Sequence, residues 1–279
     1  MRLLLIKLAL LLPFLAAGSN DNYHIGARSA GMANASVTLY DLWSVHHNQA
    51  GLGWLEEFSA GAFYESKFLL NELSVKGGAI AYPTKSGTFG VSIMSFGYSL
   101  YSEGKYGLAY GRKLGENVSA GVQVNYLTTR IANDYGNASA LSVEAGVQAR
   151  LSKKLAIGMH LYNPNRAKIT DYNNEKIPTV MRLGLDYKFS NKVFTTVEAQ
   201  KDIDHPAQLK VGIEYHIVEQ LYLRAGISSN PFLNTFGFGL KLQKFQVDFA
   251  TSIHSTLGFT PQMSLTYGIK GPSKKSFAE

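Results

Sequence analysis

The chain contains no cysteine. That excludes disulfides, thiolate metal sites, cysteine nucleophiles and a lipid-anchored cysteine behind a leader, and it suits an exported protein that does without cross-links. Prolines number only eight in 279 residues, so few positions interrupt regular structure. Long apolar runs are missing too: outside the first residues nothing approaches the roughly eighteen consecutive apolar residues of a transmembrane helix. A chain of this kind enters a membrane only as a barrel.

The N-terminus reads as a removable leader. Met1 and Arg2 precede an apolar stretch divided by Lys7, Leu8 to Ala17 continue it, and Ala16, Ala17 and Gly18 offer a small-residue cleavage site. An anchoring helix is the alternative, but the uninterrupted part is about ten residues, too short to span a bilayer. The expected signal peptide is 1–18. With Arg2 and Lys7 removed, 25 basic side chains face 20 acidic ones, a mild and dispersed surplus that gives no footing for nucleic acid.

What the chain does have is 27 glycines, 16 tyrosines and 15 phenylalanines at a mean hydropathy of −0.05. From about residue 57 it repeats one pattern, nine or so residues with every second one apolar, then a turn. Leu141, Val143, Ala145, Val147 and Ala149 alternate with Ser142, Glu144, Gly146, Gln148 and Arg150, which is a two-faced strand. Fourteen such segments are expected, at 57–65, 73–82, 88–99, 105–113, 117–129, 139–151, 155–162, 179–189, 193–201, 207–218, 220–228, 235–243, 245–254 and 262–269. The faces of the second are ambiguous, because Lys76 shares a side with Ile80 and Tyr82. Connections alternate between tight turns and longer loops, and aromatics such as Tyr110, Tyr187, Phe245 and Tyr267 cluster at segment ends. Together these imply an all-β fold: a transmembrane antiparallel β-barrel of about 14 strands over 57–269, in a bacterial outer membrane, with both termini periplasmic. A polar tail, 270–279, follows.

Fourteen strands leave a lumen that water or a plug must fill. Residues 19–56 do not alternate and are the expected plug, with a loose periplasmic arm as the rival reading. Charges predicted to face inward include Arg182, Asp186, Glu198, Glu214 and Arg224, with Lys210, Lys241 and Asp248 beside them. Pairing across strands is the simplest use for them. His46 and His47 are adjacent, and in extended chain they point apart, a poor metal site. No serine lies in a nucleophile motif, and Gly237-Phe238-Gly239 sits in a strand with no following helix. Catalytic residues, metal and cofactor are all expected to be absent, so the protein is read as no enzyme.

The plug segment also carries a resemblance. Gly26-Ala27-Arg28-Ser29-Ala30-Gly31-Met32, then Asp41, then Asn48-Gln49-Ala50-Gly51-Leu52 resembles the N-terminal signature of the PorV/PorQ family of Bacteroidota outer-membrane proteins, a branch of the FadL-like barrels. Gln49 stands where that family has proline. The resemblance implies one of two roles: an accessory of type IX protein secretion, or FadL-like passage of hydrophobic compounds. Apolar residues near loop tips, Leu69, Tyr101, Phe232 and Phe259 among them, would form a partner surface, while the assignable inward positions are polar. That contrast favours the export or assembly accessory. Expected partners are outer-membrane lipid and secretion-complex proteins, or hydrophobic small molecules on the second reading.

Overall fold

The computed structural model describes residues 22–132, 136–169 and 177–269; the leader 1–18 and the tail 270–279 lie outside them. Alternating side chains produce fourteen strands: β1 Phe58–Ser66, β2 Ser74–Pro83, β3 Thr88–Gly97, β4 Tyr101–Lys113, β5 Val118–Ile131, β6 Gly136–Arg150 and β7 Leu155–Tyr162. The second half is β8 Val180–Lys188, β9 Val193–Asp202, β10 Gln208–Val218, β11 Leu221–Ser228, β12 Leu233–Leu242, β13 Phe245–His254 and β14 Gly258–Ile269. Each pairs antiparallel with its chain neighbours, and β1 closes on β14 with Phe58 opposite Ile269 and Glu65 opposite Gln262. Closure leaves no free edge.

The two faces are inverted relative to a soluble barrel. Leu108, Leu183 and Phe236 are more than half exposed on the outside, while Arg182, Glu144 and Glu198 are fully buried inside. Apolar outside and polar inside is what a bilayer demands of a strand wall. No helix among the described residues is long and apolar enough to cross a membrane. Lys76 faces outward with Ile80 and Tyr82, and Val75, Ala79 and Ala81 face the lumen. Cross-strand aromatic pairs ring the tight-turn end: Phe89 and Tyr110 at 5.0 Å, Phe245 and Tyr267 at 4.9 Å between centroids.

Four strands start earlier than the alternation predicts, β12 by two residues at Leu233 and the other three by more. β4 begins at Tyr101, β6 at Gly136 and β14 at Gly258 because these residues stay in register with Ile131, Ile131 and His254 on the neighbouring strand. Antiparallel partners lengthen together. Several connections at that end therefore shrink to a few residues, and only those at 67–73 and 163–179 are long.

Residues 22–54 lie inside the wall. They enter at the loop mouth, where Tyr23 stacks on Phe96 with centroids 4.8 Å apart, and descend to the tight-turn mouth, where the Arg150 guanidinium lies 3.8 Å from the Trp54 ring. The main apolar core joins Ile25, Leu42, Trp43, Val45 and Leu52 of this segment to Phe63, Val75, Ala81 and Met94 of β1–β3.

Candidate functional site: the luminal segment and its wall

Only short helical turns form in the segment, Ala27–Ala30, Ser44–His47 and the 3-10 turn Gln49–Trp54. Turns this brief satisfy few of their own backbone groups, so side chains and the wall supply the rest. Asn48 donates from Nδ2 to the Val37 carbonyl at 2.7 Å and accepts from the Ala50 amide at 3.2 Å. Asp41 accepts from the Trp43 amide at 2.9 Å and from Arg28 at 3.1 Å.

Three glutamates of the wall organise the contacts. Glu198 on β9 accepts the Ser36 and Val37 amides at 2.8 and 2.9 Å, two bonds from Arg182 at 2.8 and 3.0 Å, and one from Lys210 at 3.2 Å. Arg182 spends its other donors on the segment, reaching the His47 carbonyl at 3.1 Å and the Ser36 hydroxyl at 2.7 Å. Glu214 on β10 accepts a two-pronged bond from Arg28, both prongs 2.9 Å, and one from Arg224 at 2.7 Å; Arg224 also holds Asp248 at 2.7 Å. Glu144 on β6 accepts from Lys105 at 2.6 Å and Gln49 at 2.9 Å, with His160 Nε2 at 3.0 Å. Buried charges this well partnered are stable as sets and costly to break singly.

Close approach requires luminal glycines. A Cβ on Gly158 would lie 2.6 Å from the Val37 carbonyl oxygen, and one on Gly226 would lie 2.6 Å from the Ala33 amide. Gly111, Gly121, Gly146, Gly184 and Gly212 meet the segment in the same way. At the tight-turn mouth cations of alternate strands interleave with segment rings: Lys113 over Trp54 at 5.2 Å, Arg150 over Trp54 and, at 4.7 Å, over Tyr40, then Lys188 over Tyr40 at 5.8 Å.

Of the motif residues, Ala27, Arg28, Gly31 and Met32 meet β10–β14, Asn48 and Ala50 meet β5 and β6, Asp41 bonds Arg28, and Gly26 and Gly51 pack on Trp43 and Ser44 of the segment itself. Gly26 takes φ 114°, a conformation that favours glycine, and its missing side chain leaves room for the Trp43 ring. Arg182, Asp186, Glu198, Glu214 and Arg224 are all luminal and buried; Lys241 is exposed at the tight-turn mouth. The rim residues fall in two settings. Leu69 and Phe232 are exposed in connections, whereas Tyr101 belongs to β4 and donates to Glu103 at 2.6 Å, and Phe259 lies on the outer face of β14 beside Ile253. Tyr135 falls outside the described residues. His46 and His47 sit in a helical turn, not extended chain, and both are buried. No group of three histidines, cysteines, aspartates or glutamates among the described residues could hold a metal.

Sequence reasoning did not single out Glu144, Lys105 and His160. Their signal was available: each occupies the polar face of a strand, opposite lipid-facing residues.

No family model matches the chain, and no curated protein sequence matches it. Solved structures do. The Ralstonia pickettii toluene transporter TbuX superposes with a TM-score of 0.67 at 13% identity, covering 87% of this chain and 97% of its own. The Pseudomonas putida toluene transporter TodX gives 0.68 at 12% identity over 91% and 100%. A Pseudomonas aeruginosa FadL homologue gives 0.63 at 12% over 87% and 98%. At these identities the likeness is one of fold, a closed β-barrel wall, which in this chain has fourteen antiparallel strands.

Proposed function

We propose that this protein passes small hydrophobic compounds across the outer membrane, and that residues 19–56 form a plug which must shift for passage. The observation that carries the reading is an apolar sector of the lumen. Apolar inward positions of β1–β3 are Phe63, Val75, Ala79, Ala81, Met94 and Phe96, interspersed with Glu65, Thr88 and Ser92, and they pack against Ile25, Trp43 and Val45 of the segment. The inward positions assignable from sequence are polar; the sequence leaves those of β2 undecided and does not assign Phe63 of β1 or Met94 of β3. An apolar lining is what a hydrophobic ligand needs and what a purely structural polar lumen lacks. The solved structures of like fold support the same class, since they include toluene transporters and a monoaromatic hydrocarbon channel.

The export-accessory reading rests on a convergent apolar rim: Leu69, Leu70, Leu100, Phe232 and Leu257 stand exposed in connections, while Tyr101 and Phe259 belong to strands. The solved structures of like fold favour the transporter reading over it.

The test is uptake of radiolabelled toluene by host cells that lack their own hydrocarbon channel. Cells carrying the chain should accumulate label faster than vector controls, and Phe63→Asn with Met94→Gln should remove the gain while the barrel still migrates as a folded species. Equal uptake with and without the chain would sink the proposal.

A further inference from the structure

The tight turns differ from the opposite connections in charge as well as in length. They carry Lys85, Lys153, Lys154, Lys192 and Lys244 against Glu116 and Glu219. Lys153, Lys154 and Lys192 converge with Lys188, from the luminal face of β8, around a cavity of about 720 Å³ at this mouth. The ion pairs of the described residues leave all four lysines out. Of the two acids lining the cavity, Glu214 is already held by Arg28 and Arg224, and Asp186 is only 4% exposed. The ceiling is the luminal segment itself. There Thr38 is buried beside Asp186, and Tyr40 is 41% exposed. Phe194 of β9 supplies an aromatic wall.

Two features decide the occupant. Lys188 shares the luminal face of β8 with Arg182 and Asp186, and its Nζ lies 3.4 Å from the Tyr40 hydroxyl. It therefore points away from the lipid-facing wall towards the water at this mouth, with the buried Asp186 the acid nearest to it in the chain. The cavity also falls in the roughly 300–1,000 Å³ range of sites that enclose a ligand, room for a few side chains and not for a folded domain. We propose that this mouth docks an acidic peptide segment of a periplasmic protein, with an aromatic side chain against Tyr40 and Phe194 and carboxylates meeting Lys154, Lys188 and Lys192. The periplasmic side is assigned by the tight turns. The inference goes beyond hydrocarbon passage and does not rest on it, since it is read by peptide binding and not by uptake.

The experiment uses the full chain in phosphatidylcholine nanodiscs and a rhodamine-labelled, acetylated Asp-Glu-Phe-Asp-Glu peptide, followed by fluorescence anisotropy. The acidic peptide should bind, and its Asn-Gln-Phe-Asn-Gln analogue should not. The Lys154→Gln/Lys188→Gln/Lys192→Gln variant should weaken binding about tenfold, the loss expected for three exposed charge contacts, and added salt should weaken it in the wild type. If the triple variant fails to fold, Lys188→Gln alone should cost about threefold. The proposal is overturned if the acidic peptide does not bind, if it binds the folded lysine variant equally well, or if phosphatidylglycerol in the nanodisc abolishes binding to the wild type. That last outcome would assign the lysines to lipid headgroups.

Discussion

Replacing Glu198 by glutamine should loosen the luminal segment without opening the wall. The carboxylate accepts five hydrogen bonds, two from segment amides and three from Arg182 and Lys210. Both cations are almost fully buried. Removing one charge from such a set leaves the others uncompensated, at a cost of about 3–5 kcal/mol. The β-ladders around β9 continue on both sides, so the wall keeps its pairing and the cost falls on the docking of residues 34–37. A loss of about 3 kcal/mol multiplies the undocked population by roughly 150. Hydrogen exchange resolves this directly, because glutamine leaves a single oxygen to serve Arg182, Lys210 and the Ser36 and Val37 amides, both of which donate to Oε2. Their exchange in Glu198→Gln should accelerate by about two orders of magnitude, while amides in the β9–β10 ladder stay as slow as in the wild type. Unchanged protection of the Ser36–Val37 peptide would refute the reasoning, and so would equal acceleration throughout the wall. Glu219→Gln, on an exposed turn, is the control and should change nothing beyond about 0.5 kcal/mol.

Other consequences follow from the same contacts. The protein should fractionate with the outer membrane and migrate faster unheated than boiled in detergent gels, since a closed hydrogen-bonded wall resists unfolding; recovery as a soluble periplasmic species would contradict this. Gly158→Val places side-chain atoms where the Val37 carbonyl lies, so protease should cut residues 22–54 readily in that variant and slowly in the wild type. Arg150→Ala removes the cation between Trp54 and Tyr40; at about 0.5–2 kcal/mol per desolvated contact, the red shift of Trp54 emission on mild denaturation should come at lower denaturant, with no such change expected for Arg130→Ala.

Most of the wall was legible in the sequence because a period of two leaves a mark on every strand. Leu183 and Leu185 against Arg182 and Asp186 announce which face meets lipid. Strand ends were less legible: Tyr101 and Gly136 belong to the ladder through partners on β5, a dependence that no local pattern records. The face of β2 was hidden for a related reason, since Ala79 and Ala81 are too small to declare burial and Lys76 sits at the loop end of the outer face. In the lumen, Arg182, Glu198 and Glu214 could be placed by alternation alone, but not their partners on the segment. The Ser36 and Val37 amides and the His47 carbonyl are backbone groups, and sequence says nothing of which backbone groups will lack a partner. The glycines facing the segment, Gly158 and Gly226 among them, read as ordinary small residues until the segment is seen against them.

The central claim is that residues 22–54 fill the barrel. Single-channel recording in planar bilayers tests it most directly, comparing the full chain with a chain from which those residues are deleted, both shown to be folded by heat-modifiable migration. The full chain should stay near zero conductance with rare openings, and the deleted chain should hold a stable, large conductance, as a fourteen-strand wall without its filling leaves an aqueous lumen. Large conductance in the full chain, or equal conductance in both, would contradict the account.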